Sequence, residues 1–176
     1  SVSQKVVAEA RCAVRVARRT ARSRSAPVQI MLGVDGSVDA MAAVRTIAAR
    51  HWPAGSTVRL VTVLDARLTT ALVPSQPPVE TWMEASDTEP HAWVPRMLET
   101  CRQPLEAAGL SVSMLVKDGN PREVLPAEAE QWGADCLAVG ARGLSRIERF
   151  LIGSVSMAVA ARAHCSVEVI RPHSVG

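Results

Sequence analysis

The sequence predicts an α/β fold: an open, five-stranded, mostly parallel sheet with helices on both faces. Apolar or β-branched segments of strand length alternate with segments of helical spacing, and repeated βαβ units produce this alternation. Of the 176 residues, 48% are apolar and 21% are charged, which is typical of a globular domain rather than a disordered chain. The length suits one domain and a short additional piece.

The first part of this domain predicts a strand, a helix and a second strand. Val28–Val34 is a continuous apolar run, as expected for a strand buried on both faces. The helix over Asp39–Arg50 is rich in alanine, and Ser37 is placed to cap its N-terminus. Thr57–Leu64 is β-branched and predicts the second strand. Asp65–Pro90 contains four prolines and no clear period, so it is either a mobile flap near the site or a solvated insertion.

The middle of the chain predicts a further helix, strand and helix. His91–Gly109 has helical spacing and a natural stop at its glycine, although Pro95 and Pro104 oppose a regular helix. Leu110–Val116 predicts the third strand. Pro121–Gly133 begins with proline in a first helical turn and ends in glycine.

The last part completes the alternation and indicates where a ligand binds. Asp135–Ala141 predicts the fourth strand, Ser154–His164 an alanine-rich helix, and Ser166–Ile170 the fifth strand. In such sheets ligands bind beyond the carboxyl ends of the strands, where the strand order reverses. The two strand ends richest in polar and glycine residues are Asp35-Gly36-Ser37 and the loop that begins at Gly140.

The loop after the fourth strand carries the pattern G-x2-G-x9-G-S, formed by Gly140, Gly143, Gly153 and Ser154. Glycines permit positive φ angles and a close approach of the backbone to a ligand. The N–H groups of the following helix favour phosphate, and the hydroxyls of Ser154 and Ser156 can add hydrogen bonds. These glycines and serines together therefore predict a binding site for a chain of phosphates. The alternative is that the glycines end a strand and Ser154 caps a helix.

Three other residues are candidates for the same site. Asp35 can accept a hydrogen bond from a ribose hydroxyl or a base amino group, help hold a cation, or act only as a turn residue. The backbone of Val63 can meet an adenine edge, but Val63 alone is indistinguishable from core. Arg142 either pairs with a phosphate or points to solvent. Arg146 and Arg149 are expected on a solvated face.

The loop offers little for phosphoryl transfer. It is neither a Rossmann G-x-G-x-x-G nor a P-loop, because it lacks the Gly-Lys-Ser/Thr ending. No general base, lysine or histidine lies beside the glycines in the sequence. We therefore expect a binding module, and keep a weak ATPase or transferase and a nucleotide-free interaction module as alternatives.

The N-terminus repeats the C-terminal part of the chain. Residues 1–19 and 154–172 are identical at ten of nineteen aligned positions without a gap. We interpret 1–19 as the last helix and strand of a preceding copy of the domain, and 20–27 as a linker. An isolated strand needs an edge to pair with, so the segment Cys12–Ala17 is expected to pair with the last strand, Cys165–Ile170.

Charge and cysteine content exclude several classes of protein. Residues 1–27 hold seven basic residues and one acidic residue, so the formal net charge of +3 comes from this segment. The repeat explains these charges, which makes nucleic-acid binding a weak alternative. No apolar run is long enough to predict a membrane span. The spacing of the four cysteines argues against zinc and predicts buried, reduced thiols in a cytoplasmic protein.

Three stretches resemble the universal stress protein family: IMLGVDGSVDAMAAV, DGNPREVLPAEAEQWGADCLAVGARG and IGSVSMAVAARAHCSVEVIR. The resemblance covers 28–172, with the partial copy at 1–19 before it and a short tail at 173–176. The G-x2-G-x9-G-[ST] pattern is similar to that of the ATP-binding branch of the family. Two departures are the long insertion at 65–90 and the partial copy itself.

The resemblance implies an adenine nucleotide alpha hydrolase-like fold, a role in the stress response, and dimerisation or pseudo-dimerisation through the last strand. It also implies bound ATP, with Mg²⁺ or Mn²⁺. By position, the residues that would meet adenosine are Asp35 and Val63. Those that would hold the ribose and first phosphates are Val139, Gly140, Arg142 and Gly143. The triphosphate end would lie on Gly153, Ser154, Val155 and Ser156.

Overall fold

A computed structural model describes residues 2–18, 25–65, 91–144 and 152–172 of the chain. The strands in these ranges are β1 Val14–Val16, β2 Gln29–Gly33, β3 Thr57–Leu64, β4 Ser111–Asp118, β5 Cys136–Gly140 and β6 Ser166–Ile170. The helices are α1 Val2–Glu9, α2 Val38–Ala48, α3 Val94–Ala107, α4 Pro121–Trp132 and α5 Ser154–Arg162. The predicted strands β3 and β6 have the bounds that the sequence indicated.

The strands form one mixed sheet in the order β1-β6-β5-β2-β3-β4. Strands β2 to β6 are parallel to one another, and β1 lies antiparallel to β6. The prediction of five strands is therefore wrong, because β1 adds a sixth strand at the outer edge. The predicted pairing of the N-terminal strand with the last strand is confirmed: Val14 lies opposite Val169.

The order of the strands places a crevice beside β2. From β2 the chain adds β3 and β4 on one side, and it then returns to add β5 and β6 on the other. The loops after β2 and β5 therefore diverge, and their carboxyl ends open a crevice at this reversal point.

Two apolar layers cover the sheet, and side-chain alternation along β2 assigns residues to them. Ile30 and Leu32 face the layer that contains α2 and α3, whereas Met31 faces the layer that contains α4 and α5. All three side chains are fully buried. Val7 of α1 is buried in the second layer, so the N-terminal segment is part of the core.

Local signals account for the helix ends. The Ser37 hydroxyl accepts a hydrogen bond from Ala40 N at 3.2 Å, which confirms it as the N-cap of α2. Gly133 closes α4 with φ 72°, a left-handed conformation suited to glycine. Helix α3 continues through Pro104 and starts only at Val94, three residues later than predicted.

Three of the four cysteine thiols are buried, as predicted, and one is exposed. Cys101, Cys136 and Cys165 are buried, but Cys12 is exposed, so the prediction of burial is wrong for Cys12. It lies between α1 and β1 at the outer edge of the sheet, where no layer covers it.

The predicted insertion Asp65–Pro90, apart from Asp65, lies outside the described residues, as do Arg146 and Arg149. None of the described helices has both the length and the hydropathy to cross a bilayer.

A buried carboxylate joins α4 to two strands. Glu128 is buried, and its oxygens accept from Arg59 at 2.9 Å and from Lys117 at 2.5 Å. Arg59 also lies over the ring of Trp132, 4.5 Å from its centre. Burial by itself raises the pKa of the Glu128 carboxyl, but Lys117 and Arg59 together outweigh it and hold the pKa below its usual value.

We predict that Glu128→Gln lowers the free energy of unfolding by about 2 kcal/mol at pH 7, since it removes one partner from a buried ion pair whose cations remain partly exposed. A lowered pKa means that this stabilisation is present at neutral pH and is lost as the pH falls through the native pKa of Glu128. Urea unfolding at pH 7 and at pH 3 measures both effects. Glu130→Gln, on the exposed face of the same helix, is the control and should change little. An equal effect of Glu128→Gln at both pH values would contradict this explanation.

Candidate functional site

A cavity of about 430 Å³ opens at the carboxyl edge of the sheet, in the crevice beside β2. Its walls come from the ends of β2, β3 and β5 and from the N-terminal ends of α2, α4 and α5. This volume is within the range of small-molecule sites. The ten residues that the sequence predicted for the site all line this cavity: Asp35, Val63, Val139, Gly140, Arg142, Gly143, Gly153, Ser154, Val155 and Ser156.

Two of the loop's three glycines, Gly140 and Gly143, are required by space rather than by φ. The glycines with positive φ in the described chain lie elsewhere, so the left-handed backbone that glycine would permit at Gly140 and Gly143 is not found. A Cβ on Gly140 would lie 2.6 Å from backbone atoms of Asp39 and Ala40, a distance that real Cβ atoms do not adopt. Glycine at 140 therefore lets the start of α2 pack directly on the end of β5.

Gly143 makes a similar close approach to Asp35. A Cβ on Gly143 would lie 2.8 Å from Asp35 Oδ2. The absence of a side chain at 143 is therefore what leaves room for the Asp35 carboxylate beside the cavity. Any larger residue at 143 has to displace that carboxylate.

The backbone amides of the loop are only partly available to a ligand. Gly153 N already donates to Ala141 O at 2.7 Å, and Arg142 N donates to Asp39 Oδ2 at 3.1 Å. Gly153 therefore does not present a free amide to a ligand. The available donors are the first-turn amides of α5, which have no intrahelical acceptor, and no side chain caps this helix. The residues that carry these N–H groups, Ser154, Val155 and Ser156, line the cavity at the positive end of the helix dipole.

The two serine hydroxyls of α5 have different positions. Ser156 is buried, and its Oγ donates to Gly140 O at 2.6 Å, so it anchors α5 to the end of β5. The Ser154 Oγ accepts a hydrogen bond from Arg122 Nη2 at 2.9 Å. Ser154 is therefore the hydroxyl that borders the cavity beside a cation.

Arg142 takes neither of the positions that its sequence suggested. Its Nε and Nη2 donate to the two carboxylate oxygens of Asp39 at 2.9 and 3.0 Å. Asp39 is buried in the first turn of α2, and Ser37 Oγ donates to Arg142 O at 3.2 Å. The guanidinium charge is therefore neutralised, and the loop is attached to α2 by side chains and backbone together.

Asp35 lines the same cavity, and Gly143 of the loop lies directly beside it. Asp35 follows β2, and its Oδ1 accepts from Ser37 N at 3.0 Å. Burial raises the pKa of the Asp35 carboxyl above its ordinary value, while hydrogen bonds from Ser37 and the backbone of Leu144 act in the opposite direction. An incompletely solvated carboxylate of this kind favours a ligand that brings hydrogen-bond donors, such as hydroxyl or amino groups.

Sequence reasoning missed residues that reach the cavity from other elements. Arg122 enters from the first turn of α4, and Trp93 and His91 come from the start of α3. No carboxylate in the described ranges forms an ion pair with the Arg122 guanidinium. The signal for Arg122 was the stretch GNPRE, in which Asn120 caps the helix and Pro121 opens it at the end of β4. The sequence held no comparable signal for Trp93, whose place depends on the packing of α3.

The described residues of the cavity do not form a metal site by themselves. Within the described ranges, no group of three His, Cys, Asp or Glu side chains could hold a metal ion. Asp35 and Ser154 supply oxygen ligands of the kind that Mg²⁺ accepts, and magnesium commonly binds through a few such oxygens together with the phosphates of a ligand. The residues therefore fit a cation that arrives with a phosphorylated ligand.

Comparisons of this sequence with known proteins all point to one family. The chain matches the Universal stress protein family over residues 29–171. It is 27% identical over 151 residues to a protein of Staphylococcus haemolyticus named as a universal stress protein, and the alignment covers 83% of this chain and 86% of that protein. A relative in Staphylococcus epidermidis is 29% identical over 147 residues, which cover 81% and 82% of the two chains.

Solved structures share the fold at lower identity. The hypothetical protein MJ0577 has a TM-score of 0.65 at 24% identity, over 84% of this chain and 97% of that chain. A universal stress protein in complex with cAMP has a TM-score of 0.55 at 24% identity, over 83% and 98%. A family member from Arabidopsis thaliana with AMP bound has a TM-score of 0.56 at 19% identity, over 84% and 94%.

We predict that Asp35→Asn stabilises the ligand-free protein at pH 7 and raises its thermal midpoint by a few degrees. The raised pKa means that folding disfavours the ionised carboxyl, so this group lowers the stability at neutral pH; the loss decreases as the pH falls through the native pKa and is absent below the unfolded pKa. Asparagine keeps an acceptor for Ser37 N without the charge. Thermal unfolding at pH 7 is the measurement, and Asp118→Asn, at an exposed position at the end of β4, is the control. A lower midpoint for Asp35→Asn than for the control would refute the assignment.

Proposed function

The chain belongs to the universal stress protein family, and we propose that it is a regulatory domain of the stress response that binds ATP in the cavity beside β2. The observation that carries this proposal is that one cavity is lined both by the uncapped N-terminus of α5, with Arg122 beside it, and by the Asp35 carboxylate. The helix N-terminus and Arg122 favour anions, and the carboxylate favours hydrogen-bond donors. A nucleotide has both chemistries on one molecule.

The adenosine part of the ligand fits the side formed by β2 and β3. Asp35 would accept from the ribose hydroxyls or the adenine amino group, and the backbone of Val63 would meet the adenine edge. Apolar side chains such as Val34, Val61 and Leu125 supply walls for the base.

The phosphates fit the side formed by α5 and α4. The amides of Ser154, Val155 and Ser156 would bind the outer phosphates, together with the Ser154 hydroxyl and the Arg122 guanidinium. Gly140, Gly143, Val139 and Gly153 would form the surface along which the inner phosphates and ribose lie. Because Asp39 neutralises Arg142, we assign Arg142 the role of holding the loop rather than supplying charge.

Two structural relatives support an adenine nucleotide as the ligand, since one is in complex with cAMP and another has AMP bound. We propose ATP for this chain because the anion-binding part of the cavity extends from the loop to Arg122 and offers donors for more than one phosphate. Mg²⁺ or Mn²⁺ would be held mainly by the phosphates, with Ser154 as the nearest protein ligand.

Little or no hydrolysis is expected. The cationic and hydroxyl groups at α5 bind phosphate, but Ser154 already accepts from Arg122 and has no adjacent base among its described hydrogen-bond partners. A weak ATPase or nucleotide-dependent transferase is the second candidate, and His91, a titratable group in the same cavity, is the observation that favours it. Turnover that depends on His91 would select this second candidate.

The proposal is tested by identifying what the protein carries and what stabilises it. Mass spectrometry of the purified protein should detect an adenine nucleotide. Mg-ATP at about 100 times its dissociation constant should stabilise the fold by about 2.7 kcal/mol, which corresponds to a rise of roughly 5–10 °C in the thermal midpoint. The absence of both effects would leave only the interaction-module alternative.

We predict that Gly143→Val abolishes this thermal shift while the ligand-free protein stays folded. The new side chain must displace the Asp35 carboxylate and occupy the inner phosphate path. Ala107→Val, on the exposed end of α3, is the matched control and should keep the full shift. Normal ATP binding by Gly143→Val would show that the nucleotide lies elsewhere.

We predict that Arg122→Ala weakens ATP binding about three- to tenfold and leaves AMP binding unchanged, because Arg122 borders only the outer end of the phosphate path. Isothermal titration at two salt concentrations measures the loss, which should shrink at high salt. Arg162→Ala removes the same charge at the opposite end of α5 and is the control. Equal losses for AMP and ATP would place Arg122 at the inner phosphate instead.

A further inference from the structure

The two edges of the sheet differ in length and in charge. β1 has three residues, and Arg15 is the central one. β4 has eight residues, Ser111–Asp118, and its first six carry no charge. Among the described strands, β4 pairs with β3 on one side only. Short or charged edge strands resist pairing with another chain, whereas a long uncharged edge favours it. The outer side of β4, which we call the β4 edge, is therefore suited to accept a further strand.

An apolar groove runs beside the β4 edge. Met114 and Val116 are 47% and 45% exposed, although both are large apolar side chains. They lie on the same face of β4 as Val112, which packs against the layer of α2 and α3. The groove has a volume of about 740 Å³, and its apolar lining also includes Val94 and Leu98 of α3. Exposed apolar side chains grouped beside an open strand edge are typical of a surface that binds another chain.

β4 is complementary to a second, antiparallel copy of itself. In an antiparallel pair, residues that lie opposite each other point to the same face of the sheet. The two-fold axis of a self-paired strand therefore passes through one residue rather than between two. With the axis at Leu115, Met114 of each copy lies opposite Val116 of the other. The exposed apolar side chains of both copies then form one continuous stripe, and such pairs stabilise neighbouring strands.

The charges of β4 agree with this antiparallel arrangement. In the same register Lys117 lies opposite Ser113, and Asp118 lies opposite Val112, so no two like charges meet. A parallel copy in register would set Lys117 against Lys117 and Asp118 against Asp118, which destabilises a strand pair. The antiparallel pair also closes on itself after two copies instead of extending into a fibre.

Helix α3 adds charges of both signs to the groove. Arg96 and Glu99 both line it, and they lie on one face of the helix. A two-fold axis reverses the direction of α3 in the second copy, so the arginine end of one groove lies beside the glutamate end of the other. Electrostatic complementarity of this kind favours association in one orientation.

We propose that two copies of this chain associate through the β4 edge, by antiparallel pairing about a two-fold axis at Leu115. The two sheets join into one, with Met114, Val116 and the groove residues of α3 along the junction. This interface lies at the opposite end of the sheet from β6, whose outer side is already paired with β1. None of its residues lines the cavity, so the proposal stands independently of the nucleotide.

Sedimentation equilibrium of the full chain, from about 1 to about 500 µM, tests the association. We expect a reversible dimer with a dissociation constant on the order of 10 µM, in keeping with a small interface. Val116→Lys should weaken it about tenfold or more, because it places a cation opposite Met114 on the edge strand. Val6→Lys makes the same substitution at a valine of α1 that is 50% exposed, and it should leave the constant unchanged. A monomer at every concentration, or equal constants for the two variants, would overturn the proposal.

Cysteine cross-linking tests the register without adding a charge. The background is Cys12→Ser, which removes the exposed thiol. An equal mixture of Met114→Cys and Val116→Cys chains should form an intermolecular disulfide about fivefold faster than either chain alone. Directly opposite residues are close enough for a disulfide, whereas each of these residues lies diagonal to its own copy and is too far from it. Cross-linking of the single variants as fast as that of the mixture would overturn the axis at Leu115.

Hydrogen exchange identifies what covers the β4 edge. The β4 amides that point away from β3 should exchange about fivefold more slowly at the highest protein concentration than at the lowest, because a second copy protects them. Slow exchange at every concentration would show that another part of the same chain covers the edge. Rapid exchange at every concentration would show an edge that binds no second copy and is open to a different protein. Either result would overturn the proposal.

Discussion

The structure depends on the close contact between the end of β5 and the first turn of α2. Gly140 has no room for a side chain because the backbone of Asp39 and Ala40 lies against its Cα. Two residues later Arg142 binds the buried Asp39 carboxylate. This contact brings the start of α2 to the edge where α4 and α5 also begin, so three helix N-termini surround one cavity. The fold thereby builds a region of positive potential from backbone alone.

The cavity combines two chemical environments, a poorly solvated carboxylate and a set of anion-binding donors. Asp35 lies in a poorly solvated position that disfavours its ionised form, and Gly143 leaves the space for it. In the same cavity, the amides of α5 and the Arg122 guanidinium attract anions. In the empty protein the carboxylate is poorly solvated and the first-turn amides of α5 have no intrahelical acceptor, and a ligand with hydroxyl or amino groups at one end and phosphate at the other would satisfy both. Ligand binding then recovers stability that the empty site lacks.

Helix α5 contacts two different parts of the molecule, the cavity and the N-terminal segment. Its N-terminus borders the cavity, and its last turn accepts a hydrogen bond from Arg18 of the N-terminal segment. The helix has nine residues, a length of about 13 Å. A cation at the C-terminal end and an anion at the N-terminal end both complement the helix dipole. The cavity and the contact with the N-terminal segment are therefore separated by one short helix.

The sequence alone determined the alternation of strands and helices, the carboxyl edge as the place of the site, the ten residues around the cavity, and the pairing of the N-terminal strand with β6. These features follow from periodicity, from local capping residues and from a repeat, all of which are readable along the chain. Tertiary structure alone decided that Gly140 is required for space, that Arg142 binds Asp39, that Arg122 lines the cavity beside Ser154, and that Arg15 faces Glu168. Each of these depends on the distance between residues far apart in the sequence, and no local pattern encodes that distance.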